Sequence, residues 1–167
     1  WIATTPTSSY YTIEESRGKG IAQNIFKDAV GVLVRDDYAS YEKLLLAHQS
    51  CWAHLLRKSH EAAGAPDASA EVQKLHQQLK EFFLVLQADV AQPFDLINRK
   101  QLYTWYQQDI ERIIKTPYIN CDAQAIQTRI KNQNTNLITA LLYPDVPLTN
   151  NSAERAVKQI VGLRKIS

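Results

Sequence analysis

The spacing of apolar positions changes along this chain, from short β-prone runs to long helical stripes. Two β-prone runs, Trp1 to Thr5 and Ser9 to Ile13, flank a Pro-Thr-Ser turn and predict an antiparallel hairpin. The segment IAQNIFKDA then predicts a short amphipathic helix. The almost unbroken apolar run from Val30 to Arg35 predicts a strand that is buried on both faces, as in a sheet covered by helices.

The middle of the chain becomes almost wholly helical. Residues 42–46 predict a short helix, residues 48–52 a strand, and AHLLRKSHEAA a further helix. Between Gly64 and Pro147 we expect three amphipathic helices. The first ends before Pro93, the second ends at Pro117, and the third passes from Ala125 to Leu141. This order predicts an α/β sheet domain (1–63 and 148–167) interrupted by a helical insertion (64–147).

The last segment, Thr149 to Ser167, predicts a polar turn that leads into a helix. Asn151 is placed to cap the amino end, and Glu154 follows three residues later in the first turn. The apolar residues of this helix recur at helical spacing and predict one packed face: Ala153, Ala156, Val157, Ile160 and Val161. The pattern allows Glu154 to be a helix cap or a functional acid.

Composition limits the class of protein. The chain has 167 residues, 45% of them apolar and 22% charged, which is typical of a soluble globular domain. No apolar run approaches membrane-spanning length, and no signal-peptide pattern is present, so we expect a cytoplasmic protein. Cys51 and Cys121 are expected to be free thiols. The absence of methionine predicts that the chain is a fragment of a longer polypeptide.

The net charge of +2 does not decide whether the protein binds nucleic acid, because basic residues are often concentrated on one face. Arg17 and Lys19, between glycines, could hold a phosphate or be solvated. Asp36 and Asp37 directly follow the predicted buried strand. The carboxyl end of such a strand is where open α/β sheets place ligands, although a polar turn has the same pattern.

A further group of polar residues follows the predicted strand at residues 48–52. Cys51 and His54 have the spacing of half a zinc site, but no second Cys/His pair follows, so structural zinc is not expected. His54 could orient neighbouring residues or contact a DNA backbone. Arg57 and Lys58 could contact phosphates or form a solvated helix face.

Three segments of the chain, in order, resemble insertion-sequence-66 type bacterial transposases. They are G-V-L-V-x-D-x-Y-x-x-Y around Asp36, C-W-A-H-x-x-R-K from Cys51 to Lys58, and N-N-x-x-E-R-A followed by an apolar run and G-x-R-K, which contains Glu154. Asp37 occupies a position where that family usually has glycine, so we expect it to lie outside the metal shell.

The resemblance implies a ribonuclease-H-like fold and a catalytic Asp-Asp-Glu triad. Asp36 would be the second acid and Glu154 the last, and together they would bind Mg²⁺ or Mn²⁺ for DNA cleavage and strand transfer. The implied partners are the element's terminal repeats and target DNA, with self-association in the DNA complex. His54, Arg57 and Lys58 are candidate DNA contacts, as are the two cations that flank the last acid, Arg155 and Lys158.

The triad would be incomplete in this chain, because no acid here matches the family's first aspartate. We therefore expect the fragment to be inactive alone. Two alternatives stay open: a ribonuclease-H-like nuclease that cuts without strand transfer, and an inactive DNA-binding or assembly remnant of a mobile element. The same acids and metals serve hydrolysis and transfer, so sequence does not separate these functions.

Overall fold

A computed structural model describes residues 1–5, 7–16 and 18–163, with the side chains of the last helix as far as Lys158. Arg17, a candidate phosphate contact, lies outside the described residues. So do Arg164 and Lys165 of the last resembling segment and the side chains of Ile160 and Val161.

Within the described ranges the chain is a mixed α/β protein with short strands and long helices. The strands are β1 (Ile2–Thr4), β2 (Ser9–Tyr11), β3 (Val32–Arg35) and β4 (Ala47–Ser50), and the helices are α1 (Lys19–Ile25), α2 (Trp52–Ala63), α3 (Ala70–Ala91), α4 (Leu96–Lys115), α5 (Cys121–Gln133) and α6 (Asn151–Leu163). None of the helices described is long and apolar enough to cross a membrane. The chain divides into two compact units, and the three-part division expected from the sequence stays a prediction.

The first unit comprises Trp1–Gly31, Tyr38–Leu46 and Asn150–Ser167. Its strands β1 and β2 pair antiparallel, with Ile2 opposite Tyr11, which confirms the predicted hairpin. The Thr5 hydroxyl accepts a hydrogen bond from the Ser8 amide (3.0 Å) and closes the turn. Helix α1 confirms the short amphipathic helix predicted from IAQNIFKDA.

An aromatic cluster packs inside this first unit. The ring of Tyr41 meets those of Trp1, Phe26 and Tyr38 at centroid distances of 5.9, 6.2 and 5.9 Å, in edge-to-face geometry. Tyr41 ends a short 3₁₀ turn (Ala39–Tyr41), and the helix predicted at residues 42–46 is absent from the described structure. A helix of five residues makes too few hydrogen bonds to offset the cost of nucleation, and the aromatic contacts favour the earlier turn.

The second unit comprises Val32–Asp37 and Ala47–Thr149. Strands β3 and β4 pair in parallel, from Val32 opposite Ala47 to Arg35 opposite Ser50. The predicted strand begins two residues late, because Gly31 has a φ of +100° that breaks the extended run and leaves Val30 exposed. The apolar residues of β3 are half-buried, so the prediction of burial on both faces was wrong for this strand.

Strand β4 is shorter than predicted because Trp52 already belongs to α2. The Trp52 amide donates to the Leu148 carbonyl (3.0 Å), and its indole Nε1 donates to the Leu137 carbonyl (2.7 Å). These bonds turn the chain away from the sheet at Trp52. The Trp52 ring also stacks on Phe82 of α3, with a centroid distance of 5.2 Å.

Helices α3, α4 and α5 begin at side-chain caps and surround the core of the second unit. Ser69, Asp95 and Asn120 accept hydrogen bonds from the first-turn amides of α3, α4 and α5. The largest core side chains are at most 1% exposed: Trp52, Leu75, Leu79, Leu86, Tyr106, Ile110, Ile130, Leu137, Ile138 and Leu141. The first two predicted stripes, which end before Pro93 and Pro117, are confirmed.

The third predicted helix ends early. Helix α5 stops at Gln133, and Asn134 has a φ of 42°, which an α-helix does not allow. Two 3₁₀ turns, Asn134–Leu137 and Thr139–Leu141, replace the rest of the expected helix. Their backbone groups bond to β4 and α2 side chains, so tertiary contacts outweigh the local helical pattern.

The packing of α3 predicts a difference between two leucines on the same helix. Leu79 is 1% exposed and Leu84 is 60% exposed. We expect Leu79→Ala to lower the free energy of unfolding by about 2–5 kcal/mol, because it leaves a cavity in the core. The matched control Leu84→Ala should change it by about 0.5 kcal/mol or less. Urea denaturation measures both values, and equal losses would contradict the placement of α3.

Candidate functional site

Asp36 lies at the carboxyl end of β3. The Cys51 amide donates to the Arg35 carbonyl (2.8 Å), which extends the parallel ladder one step beyond the paired residues Arg35 and Ser50. Both strands therefore end at the same edge, with Asp36 directly after it and half-buried. Asp36 thus lies directly after a strand, as predicted, and the ligand-binding role of this edge stays a prediction.

Arg35 fixes the backbone at Asp36. Its side chain is buried, and its Nη1 donates to the Asp36 carbonyl oxygen (3.0 Å). Its Nε donates to Nδ1 of His48 on β4 (3.0 Å). Because a guanidinium can only donate, His48 accepts at Nδ1, and a neutral ring carries its proton on Nε2. Arg35 thus links β3 and β4 at the edge where both strands end.

Asp37 forms an ion pair with Arg129 of α5. The two side chains are 23% and 36% exposed, so solvent screens the pair only in part. The contact joins a helix of the predicted insertion to the turn that carries Asp36. Sequence analysis missed Arg35, His48 and Arg129 as site residues. Their side chains meet through pairings between separated segments, for which no local motif exists.

Helix α2 carries the candidate DNA contacts that follow β4. His54 lies in its first turn and is half-buried, whereas Arg57 and Lys58 are exposed. The Lys58 ammonium bonds to the Glu61 carboxylate (2.8 Å) and lowers the pKa of that carboxyl. Lys58 is therefore partly neutralised on its own helix.

Cys51, at the start of α2, is buried, and both cysteines of the chain are free thiols. Within residues 1–5, 7–16 and 18–163, no group of three or more His, Cys, Asp or Glu side chains is placed to enclose a metal ion.

Glu154 lies in the first turn of α6 and is half-buried. Helix α6 already includes Asn151, and the Glu154 amide donates to the Asn150 carbonyl (3.2 Å). Asn150, not Asn151, therefore precedes the helix in the position of the cap. Arg155 and Lys158 are exposed cations on the same helix.

The face of α6 that was predicted to pack is confirmed only in part. Ala156 is 7% exposed, but Val157 is 40% exposed.

Asp36 belongs to the second unit and Glu154 to the first. The structure thus places each acid within its own unit, and the pairing of their carboxylates stays a prediction.

These observations define a mixed α/β protein with an aspartate at the end of a parallel strand and an acid on a terminal helix. The sequence profile of the transposase IS66 family matches residues 1–167, the whole chain. The chain belongs to this family, which confirms the resemblance of its three segments and gives it a role in transposition. Neither a curated protein nor a solved structure matches the chain.

The Asp37–Arg129 pair predicts a measurable coupling between α5 and the site edge. In a double-mutant cycle of Asp37→Asn and Arg129→Gln, we expect a coupling free energy of about 1 kcal/mol, because the pair is partly shielded. The more exposed Lys58–Glu61 pair serves as control, and its coupling should be smaller because solvent screens it more fully. Urea denaturation measures both cycles. Equal couplings would mean that the Arg129 contact is an ordinary surface pair.

Proposed function

We propose that this chain provides two catalytic carboxylates, Asp36 and Glu154, to a transposase that cleaves DNA and transfers the cut strand. Family membership supports the transposase role. The observation that carries the choice of Asp36 is its position directly after β3, at the edge where the two parallel strands end.

The same proposal includes a ribonuclease-H-like fold. The antiparallel pair of β1 and β2 and the parallel pair of β3 and β4 form two separate two-stranded sheets, which supply both strand orientations of such a fold. The order of the elements supports the proposal as well. Strand β3 precedes the first proposed acid, a mainly helical stretch follows, and α6 carries the last acid.

Charge explains why Asp37 is a poor metal ligand. The Asp37 carboxylate is paired with a guanidinium, and a cation would have to compete with Arg129 for it. Arg35 holds the Asp36 carbonyl, so the backbone that carries the Asp36 side chain is fixed. A ligand on a fixed backbone loses less freedom when it binds.

The chemistry of the donors fits Mg²⁺ or Mn²⁺, because carboxylate oxygens are the ligands that these hard cations prefer. Asp36 and Glu154 would be part of the ligand set, and the ions require further oxygen donors. When bound, such ions would supply positive charge that lowers the pKa of an attacking water or 3′-hydroxyl and stabilises the leaving oxygen.

The exposed cations would bind the DNA backbone. Arg57 and Lys58 on α2, and Arg155 and Lys158 on α6, can each contact a phosphate, and His54 can donate a hydrogen bond to one. The partners would be the ends of the mobile element and its target DNA, in the bacterial cytoplasm. Self-association in the DNA complex belongs to the same proposal.

Replacement of either proposed acid should abolish the chemistry. In the full-length protein, we expect Asp36→Asn and Glu154→Gln each to lower DNA cleavage by at least about 100-fold, because each removes a charged metal ligand. DNA binding should stay within about twofold of the wild-type value. Cleavage and strand-transfer assays on terminal-repeat DNA measure the activity.

Asp37→Asn is the matched control for these variants, since it removes the same carboxylate one residue away. It should retain at least about one tenth of the wild-type cleavage. Full activity of Asp36→Asn or Glu154→Gln would refute the assignment of that residue. Cut ends without joined products would favour the nuclease alternative over strand transfer.

A phosphate contact by Arg57 predicts a change in the salt dependence of DNA binding. We expect Arg57→Ala to reduce the slope of log affinity against log salt by about 1, because one fewer counterion is released. Arg112→Ala is the control, since it removes the same charge from an exposed arginine on α4. Binding titrations at several salt concentrations measure both slopes. Equal slopes would leave Arg57 without a role in DNA binding.

A further inference from the structure

A cavity lies between the end of α3 and the first half of α4, within the second unit. Its volume is about 380 Å³, in the range of ligand-binding pockets. Asp89 and Gln92 border it from the α3 side, and Asn98, Gln101 and Trp105 border it from α4. The sequence analysis and the proposed transposition chemistry use none of these residues.

Arg99 is the most buried polar side chain at this cavity, with 3% of its surface exposed. Its Nη2 donates to the carbonyls of Val90 (2.9 Å) and Gln92 (2.7 Å), which lie at the carboxyl end of α3. The guanidinium also lies 5.9 Å from the centre of the Phe94 ring. These contacts hold it in place.

The contacts of Arg99 leave part of its hydrogen-bonding capacity unused. A guanidinium has five N–H donors, and the two on Nη2 are satisfied. Among the residues that the structure describes, Nε and Nη1 have no partner, and Arg99 borders the cavity. Neither nitrogen is among the fully buried unpaired atoms of the described residues, so solvent reaches both, and a molecule with acceptor atoms can replace that solvent.

The opposite charge is present at the same cavity. The Asp89 carboxylate accepts a hydrogen bond from the Tyr106 hydroxyl (2.6 Å), and burial raises the pKa of Tyr106, which keeps that hydroxyl protonated. A guanidinium and a carboxylate together do not favour a bare anion such as phosphate. They suit a neutral heterocycle that has acceptors on one edge and donors on another, and the amides of Asn98 and Gln101 can serve either edge.

Trp105 supplies an aromatic surface beside these polar groups. Its side chain is 48% exposed, an unusual position for the largest apolar residue. Its ring meets that of Tyr106 edge to face, with a centroid distance of 4.8 Å, and Tyr106 is itself buried. The exposed part of the indole is thus held in a defined orientation, as a stacking partner for a planar ring requires.

We propose that this cavity binds a single unstacked base of DNA, which stacks on Trp105 while Arg99, Asp89 and the amides bond to its edges. The choice of DNA as the source of the base rests on the proposed function. Bases are read in this way when they leave the helical stack, by aromatic stacking and by hydrogen bonds to their exposed edges. The cavity would act in binding rather than in the cleavage chemistry.

The test compares two DNA molecules that differ by one nucleotide. One is a fully paired duplex, and the other is the same duplex with one unpaired 2-aminopurine, a fluorescent base whose emission falls when it stacks on an aromatic ring. We expect the protein to bind the second DNA more tightly and to quench its emission. Trp105→Ala should abolish the quenching and lower the preference about tenfold, the effect of losing one base–aromatic stack.

Three further variants make the result specific. Trp105→Phe should restore most of the preference, because a phenyl ring can still stack. Tyr143→Ala, at an aromatic residue 40% exposed and outside the cavity lining, should leave the preference unchanged. Thermal melting of each variant shows whether it folds, and Gln101→Leu tests the cavity edge with little risk to the fold, since Gln101 is an exposed residue of α4.

The outcomes separate this inference from the proposed function. Equal affinity of the wild-type protein for the two DNA molecules would overturn the base-binding role and leave the transposition role intact. Unchanged quenching in folded Trp105→Ala would do the same. If either result is found and Asp36→Asn still loses cleavage, the catalytic role of Asp36 is supported although the base-binding role is not. Failure to bind both DNA molecules would overturn the DNA role and, with it, the occupant of the cavity.

Discussion

The second unit of this chain depends on a buried amide, the side chain of Gln49. It is fully buried at the end of β4, where its Nε2 donates to the Leu137 carbonyl (3.2 Å) and its Oε1 accepts from the Ala140 amide (2.8 Å). The Trp52 indole donates to the same Leu137 carbonyl. Since a buried polar group without a partner costs about 1–3 kcal/mol, these bonds determine where the chain after α5 can lie.

This arrangement connects the helices to the edge of the parallel strands. Ser50 donates a hydrogen bond to the Gln133 side chain at the end of α5, four residues beyond Arg129. Arg129 then pairs with Asp37, next to the proposed catalytic Asp36. Helix α5 of the helical segment is therefore bonded both to β4 and to the turn that follows β3. A shift of α5 would change the turn that holds Asp36.

Two kinds of observation bear on the function: family membership, which concerns the whole chain, and the contacts of individual residues. Membership in the transposase IS66 family assigns the chain a role in transposition. The local geometry adds detail at the end of β3, where Asp37 is paired with a guanidinium and Arg35 holds the Asp36 backbone. The cavity between α3 and α4 adds a surface suited to an unstacked base, at a part of the chain to which the catalytic proposal assigns no role.

Local sequence patterns were enough to predict the mixed α/β class, the hairpin, the long helices α3 and α4, and the family, because these depend on periodicity, capping residues and short motifs within one segment. They also located Asp36 directly after a strand. Tertiary structure alone decided that residues 42–46 are not a helix, that α5 ends at Gln133, and that Arg129 holds Asp37. The physical reason is that aromatic packing and buried hydrogen bonds between distant segments outweigh weak local propensities, and neither leaves a pattern within a single segment.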